Sequence, residues 1–166
     1  MPRRVFYSFH FGADCTRTQL VRNMGAIEGS SVATPNRWEE IKRSGDAAIK
    51  SWIDANMKGK SAVVVLIGSE TADRRWVKYE IKKAWNDGRA LLGIHIHGLK
   101  DLNGRTATKG RNPFGNFTIG AAGTPMSSLV PVYDPTRTSS KFTYQNIALH
   151  LPLWIDDAIE NRRRAA

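Results

Sequence analysis

A carboxylate, an aromatic ring and a short hydroxyl-bearing loop are what this sequence offers for chemistry. Glu80 stands four residues after Trp76 in Trp76-Val77-Lys78-Tyr79-Glu80-Ile81, so a helix brings the two side chains onto neighbouring turns. A carboxylate half-buried beside an indole, near the carboxyl end of a central strand, is where open α/β sheets keep their sites. A second set lies in Val5 to Arg17, VFYSFHFGADCTR. There a strand ends in Ser8-Phe9, and Asp14 and Arg17 follow near the start of a helix. In a parallel sheet both sets reach the same carboxyl edge. Each also has a plainer reading. Glu80 fits a surface carboxylate among Lys78, Lys82 and Lys83, Asp14 and Arg17 fit a helix cap and a solvated cation, and Trp38 and Trp76 fit a core as well as a stacking wall. Residue types alone leave these readings open.

The element that must position Glu80 is Ser61 to Trp85, SAVVVLIGSETADRRWVKYEIKKAW. Ala62 to Ile67 is an unbroken apolar run rich in Val, which suits a strand buried on both faces of a parallel sheet. Asp73 is placed to cap a helix from Arg74 to Asn86-Asp87-Gly88, with Gly88 free to take a left-handed conformation. Val77, Ile81, Ala84 and Trp85 form its apolar stripe, with Glu80 at the edge. Upstream, Val5 to Phe9 reads as a strand, His10 to Asp14 as a polar loop and Thr16 to Met24 as a helix. Ser31-Val32-Ala33 suits a short strand, Pro35-Asn36 a turn, and Asp46 to Met57 a capped helix. Downstream come a strand at Leu91 to His97 and a long segment, Gly98 to Met126, with six glycines. An edge strand at Leu129 to Tyr133 contains Pro131. Two helical pieces follow, Tyr144 to His150 and Leu153 to Arg163, broken before Pro152. The alternation predicts one α/β domain over residues 1–166, a flavodoxin-like three-layer sandwich around a mostly parallel sheet.

Composition removes several classes. The formal charge is +10, from 25 Lys and Arg against 15 Asp and Glu. No helix-turn-helix, zinc-finger or RNA-recognition signature accompanies it, so it reads as a solvated basic surface favouring an anionic small ligand, not a nucleic-acid face. The single cysteine, Cys15, excludes an internal disulfide, suits a reducing cytoplasm and reads as a small filler, not a nucleophile. No apolar run approaches the roughly eighteen residues of a membrane span, and Met-Pro-Arg-Arg leading into a strand does not read as a signal peptide. Gly59-Lys60-Ser61 precedes its strand, which is the wrong order for a phosphate-binding loop, and a G-x-S-x-G elbow is missing. His95 and His97 fall on one face of a strand without a visible third ligand, so no metal is expected.

Two strings then carry a resemblance. RRVFYSFHFGADCTRTQLV resembles the opening of a TIR domain, in which a strand ending in Ser-Phe or Ser-Tyr leads to Asp-x-x-Arg or Asp-Thr-Arg. AVVVLIGSETADRRWVKYEI resembles the third TIR strand and its helix, whose signature is Trp-Cys-x-x-Glu followed by an apolar residue; Val77 stands at the Cys position. With WEEIKRSGDAAIKSWI, LLGIHIHGLKD and KGRNPF, the likeness covers about two-thirds of the chain and is nearest to the TIR-like proteins of the Thoeris antiphage system. The resemblance implies an enzyme that cleaves NAD, its substrate and not a cofactor, at the nicotinamide–ribose bond. It further implies closure of the remainder into a cyclic ADP-ribose isomer that activates a partner effector. By the same resemblance Glu80 is the catalytic glutamate, Ser8, Phe9, Asp14 and Arg17 line the substrate loop, and Trp76 forms the helix wall. An aromatic such as Phe9 or Trp76 would stack on a ring, Arg17 would meet the pyrophosphate, and Gly98 to Met126 would serve as a lid. TIR domains often act when self-associated, and a non-catalytic TIR-like interaction module is the rival reading.

Overall fold

The computed structural model describes residues 4–24, 28–29 and 35–165. In chain order the elements are β1 (Arg4–Ser8), α1 (Phe11–Arg22), β2 (Glu28–Gly29), α2 (Pro35–Arg43), α3 (Asp46–Met57), β3 (Ala62–Ile67), α4 (Arg75–Asn86), β4 (Ala90–His95), β5 (Thr118–Ile119), β6 (Thr124–Pro125), β7 (Val132–Tyr133) and α5 (Ser140–Ala165). Five strands form one sheet in the order β2-β1-β3-β4-β7, and each described pairing is parallel. This is the doubly wound flavodoxin-like order, with its switch point between β1 and β3. The remaining two strands, β5 and β6, make a small antiparallel hairpin.

β3 is buried at all six positions because helices cover both faces of the sheet. Val64 and Leu66 face Ile147, Leu151 and Ile155 of α5. Val63, Val65 and Ile67 face Ile49 and Ile53 of α3 and Val77 and Ile81 of α4. The end of α4 follows the expectation. Gly88 takes φ +77°, its N–H bonds the Trp85 carbonyl at 3.0 Å, and the Arg89 N–H returns to Ala84 at 2.9 Å. This pattern closes a helix with a left-handed glycine.

Several expectations are corrected. His10 to Asp14 is not a loop: α1 begins at Phe11, and Asp14 lies in its first turn, where a carboxylate suits the exposed N–H groups. Pro35 opens a helix instead of a turn, since a missing N–H costs nothing at a first helical position. Asp73 ends a 3-10 turn, Thr71–Asp73, and Arg74 takes the cap position of α4. Gly45, at φ +91°, precedes α3, and Asp46 is that helix's first residue. The strands at 91–97 and 129–133 are shorter, ending at His95 and confined to Val132–Tyr133. Pro152 does not break the C-terminal helix, because Ile147, Leu151, Ile155 and Ala158 keep one buried stripe running through it. The strand expected at 31–33 lies outside the described residues, as does the side chain of Trp38.

The segment from Gly98 to Met126 is tied down. Phe114 and Met126 are buried in the α3–α4 side of the core. Asn116 donates to the Ala72 carbonyl at 2.7 Å, and Arg111 pairs with Asp73. Among the described residues no helix is long and apolar enough to cross a membrane.

Candidate active site

The last residue of β1, Ser8, is fully buried, and its hydroxyl donates to Glu80 Oε1 at 2.8 Å. The sequence of α4 explains this meeting. Its stripe of Val77, Ile81 and Ala84 presses onto β3, and Glu80, next to Ile81, is carried inward over the carboxyl end of β1. Glu80 retains 7% exposure, so it is a buried carboxylate and not a half-buried one at the edge of the stripe. Burial raises its pKa to about 8, against the Ser8 hydrogen bond, which favours the ionised form. Near neutral pH such a group is ready to change charge when a cation arrives.

Asp14 and Arg17 form the second part, at 1% and 4% exposure. Arg17 donates to Asp14 Oδ1 at 2.9 Å, to Leu99 O and Arg105 O at 2.8 Å each, and to Ala13 O at 3.2 Å. The guanidinium therefore clasps the segment after β4 onto α1. Burial raises the Asp14 pKa, and its hydrogen bond and charge pairing with Arg17 oppose that shift. Asp14 Oδ2 has no hydrogen-bond partner among the described residues and packs where a side chain on residue 68 would stand.

Ser8 and Glu80 are thus brought together, and so are Asp14 and Arg17. Phe9 and Trp76 go to opposite faces of the sheet. Phe9 packs against the cluster under α5, its ring 5.8 Å from Phe11. Trp76 packs against the cluster under α4, with Arg75 4.6 Å above its ring and Tyr79 at 5.7 Å edge-on.

The same edge holds residues that the sequence did not mark as a unit. His95, the last residue of β4, and His97, just beyond it, meet edge to face at 5.7 Å. No group of three potential metal-ligating residues joins them among the described residues. His97 Nε2 lies 3.3 Å from Thr136 Oγ1, Thr136 donates to Asp134 Oδ1 at 2.6 Å, and Lys109 meets Asp134 Oδ2 at 2.9 Å. Both histidines keep a buried Nδ1 without a hydrogen-bond partner among the described residues. Burial lowers the pKa of each. Only the HIH pattern signalled this group; Lys109, Asp134 and Thr136 lie in irregular segments with no periodicity to expose them.

A parallel sheet of this order, flanked by helices on both faces, is a flavodoxin-like fold of the TIR-like kind. Residues 6–101 match the family described as "Thoeris protein ThsB, TIR-like domain", and the chain belongs to that family. It is also 40% identical over 119 residues to a protein of Bacillus cereus (strain MSX-D12) named "Putative cyclic ADP-D-ribose synthase ThsB1". That similarity covers 69% of this chain and spans 62% of the relative's length. The family match includes Ser8, Phe9, Asp14, Arg17, Trp76 and Glu80 and stops short of Lys109, Asp134 and Thr136.

Proposed function

We propose that this chain cleaves NAD between nicotinamide and ribose and closes the remainder into a cyclic ADP-ribose-type nucleotide. The nucleotide then activates a partner effector in antiphage defence. The observation that carries this reading is the buried Ser8–Glu80 pair at the carboxyl edge of the sheet. Family membership and the relative's name support it.

The chemistry follows from charge. Departure of neutral nicotinamide leaves a ribose with oxocarbenium character, the kind of cation that glycosidases stabilise with carboxylates. Glu80 is largely protonated in the free chain, since its pKa is about 8. The positive pyridinium of bound NAD favours its ionised form, so the carboxylate charges where the cation develops. Ser8 fixes one of its oxygens through a charge-assisted hydrogen bond. Asp14 and Arg17 shape the loop beside the reacting ribose, and Phe9 and Trp76 are the aromatic surfaces available to a base. In this reading Arg17 acts through the backbone it holds, because a pyrophosphate contact would take donors from its four present acceptors. NAD is consumed as substrate, copies of the chain associate when active, and the setting is the cytoplasm.

The test uses lysates of infected cells expressing either the wild type or Glu80→Gln, filtered to remove macromolecules and analysed by mass spectrometry. A cyclic ADP-ribose species seen only with Glu80 intact is the expected result. Linear ADP-ribose alone would retain cleavage and discard cyclisation. Protection against phage with no NAD-derived product would replace the enzyme by a TIR-like interaction module.

A further inference from the structure

Helix α5 is apolar on two sides. Ile147, Leu151, Ile155 and Ala158 form the buried stripe that packs on the sheet. On the outer side Phe142, Leu149 and Leu153 stand 54%, 76% and 57% exposed. Each residue turns a helix by about 100°, so Leu149 points about 160° away from both Ile147 and Leu151. Phe142 and Leu153 fall within about 40° of Leu149, in one outer row. A surface helix carries polar or charged groups on that face, and one that is apolar all round is ordinarily covered. Scattered exposed leucines are normal, whereas a row of large apolar side chains marks an interaction site.

The charges around this row identify what covers it. The chain as a whole carries +10, which sets its copies against one another. The outer face of α5 does not share that excess. Within about 80° of Leu149, Lys141, Arg163 and Arg164 are matched in number by Asp156, Asp157 and Glu160. Arg162 turns inward instead, onto the Trp85 ring at 4.1 Å. The signs are also separated along the row, with Lys141 before Phe142 and Asp156 and Glu160 after Leu153. A second copy laid antiparallel about a two-fold axis at Leu149 puts position 142 level with 156 and 145 level with 153. Lys141 of each copy then meets Asp156 of the other, and Phe142 comes within about one turn of the other copy's Leu153. A parallel pairing would set Lys141 on Lys141 and Asp156 on Asp156. The antiparallel pairing also opposes the two helix dipoles.

We propose that α5 is a homodimer interface, in which two copies of this chain pack their α5 helices antiparallel with Leu149 on the two-fold axis. The proposal gives a face to the association of copies proposed above and rests on that part of the reading alone, not on the chemistry of Glu80. The interface backs onto the frame of the site. Lys100 N donates to Ser140 Oγ at 2.9 Å, one residue beyond the Leu99 carbonyl that Arg17 holds.

The experiment measures molar mass by sedimentation and light scattering between about 10 μM and 1 mM, the range of a small interface. The wild type is expected to rise from monomer towards dimer. Leu149→Glu should weaken the dimer by about 100-fold or more, because two carboxylates would meet on the axis. Its thermal midpoint in dilute solution should match the wild type, since Leu149 lies outside the core. Lys141→Glu should weaken the dimer about 5–30-fold, as the symmetry repeats each charge pair twice, and adding Asp156→Lys should restore it. Helices packed 8–10 Å apart leave the two Leu149 Cα atoms about 3.5–5.5 Å apart, which overlaps the range a disulfide spans. Mild oxidation should therefore cross-link a Cys15→Ser, Leu149→Cys chain and leave a Cys15→Ser, Ser51→Cys chain uncross-linked. A wild type that stays monomeric overturns the proposal and leaves the row to a different partner. A dimer that survives Leu149→Glu, or a Leu149→Cys chain that does not cross-link, overturns it as well. Glu80→Gln should dimerise as the wild type does, so a dimer without NAD turnover defeats the NAD reading and leaves this one in place.

Discussion

The carboxylate of Asp14 occupies the space that a side chain at position 68 would need: a Cβ built on Gly68 stands 2.0 Å from Asp14 Oδ2. The strand-to-helix turn after β3 is thereby locked to the first turn of α1. Gly68 is fixed from the other side as well, since a Cβ on Gly110 would stand 2.1 Å from the Gly68 carbonyl oxygen. Gly68→Ala and Gly110→Ala are each expected to destabilise the chain by at least about 1–3 kcal/mol, the usual cost of overpacking. Urea denaturation reads this directly. A Gly110→Ala chain with an unchanged midpoint would mean that the backbone at residue 110 does not rest on the turn after β3.

Glu80→Gln is expected to lower NAD turnover on the order of 10²–10⁴ and to raise stability. The folded-state pKa of Glu80 is raised from 4.5 to about 8, so between those values the native chain binds more protons than the unfolded one. Its contribution is fully present below about pH 4.5 and is lost as pH rises through about 8. Glutamine does not ionise and escapes this loss. The variant should therefore gain on the wild type as pH rises, by about 2–4 kcal/mol at pH 8. Thermal melts of both proteins at pH 5 and pH 8 check the sign. A constant difference would remove the titration of Glu80 from the explanation.

Ser8→Ala removes the hydrogen bond that favours the Glu80 carboxylate. A hydrogen bond to a charged group contributes about 1.5–3 kcal/mol, so the pKa of Glu80 should climb by about one to two units. The rising limb of kcat/KM, which reports the free enzyme, should move to higher pH by that amount. Ser8→Thr, which keeps the hydroxyl, is the control. A limb in the same place for Ser8→Ala would show that the hydroxyl does not tune the carboxylate.

Arg17→Ala should cost about 3–5 kcal/mol, because it leaves Asp14 buried and uncompensated and frees three backbone carbonyls. Arg17→Lys should recover only part of this, since one ammonium cannot reproduce the planar fork. Stability and the KM for NAD are measured together. A large rise in KM with little loss of stability would return Arg17 to the pyrophosphate.

The elements that were readable in advance are those whose burial leaves an uninterrupted pattern. Ala62 to Ile67 is apolar at every position and is a strand with those bounds, and the stripe of α4 carried Glu80 to the sheet as its spacing implied. Local punctuation misled where packing overrides it. Pro152 reads as a break but is spanned by the buried face of α5, and Asp73 reads as a cap but turns to Arg111. The pairing of Ser8 with Glu80 was implied by their common edge, whereas the depth of Glu80 was not. The acceptors of Arg17 are backbone carbonyls at residues 99 and 105, and carbonyls carry no residue code. Nothing in the sequence sets the glycines at 68 and 110 apart from other loop glycines, and only the three-dimensional contacts show that each makes room for another chain segment.

The bridges across this edge join residues far apart in the chain: 72 positions separate Ser8 from Glu80, 82 separate Arg17 from Leu99 and 88 separate it from Arg105. Contacts of such long sequence separation form late in folding, after the closure of large loops has been met by the growing core. A chain still on the ribosome that stops short of Arg105 therefore has no complete clasp. The clasp is assembled only once residue 105 has been made. Synthesis thus passes through no product ending before Arg105 that bears the finished clasp.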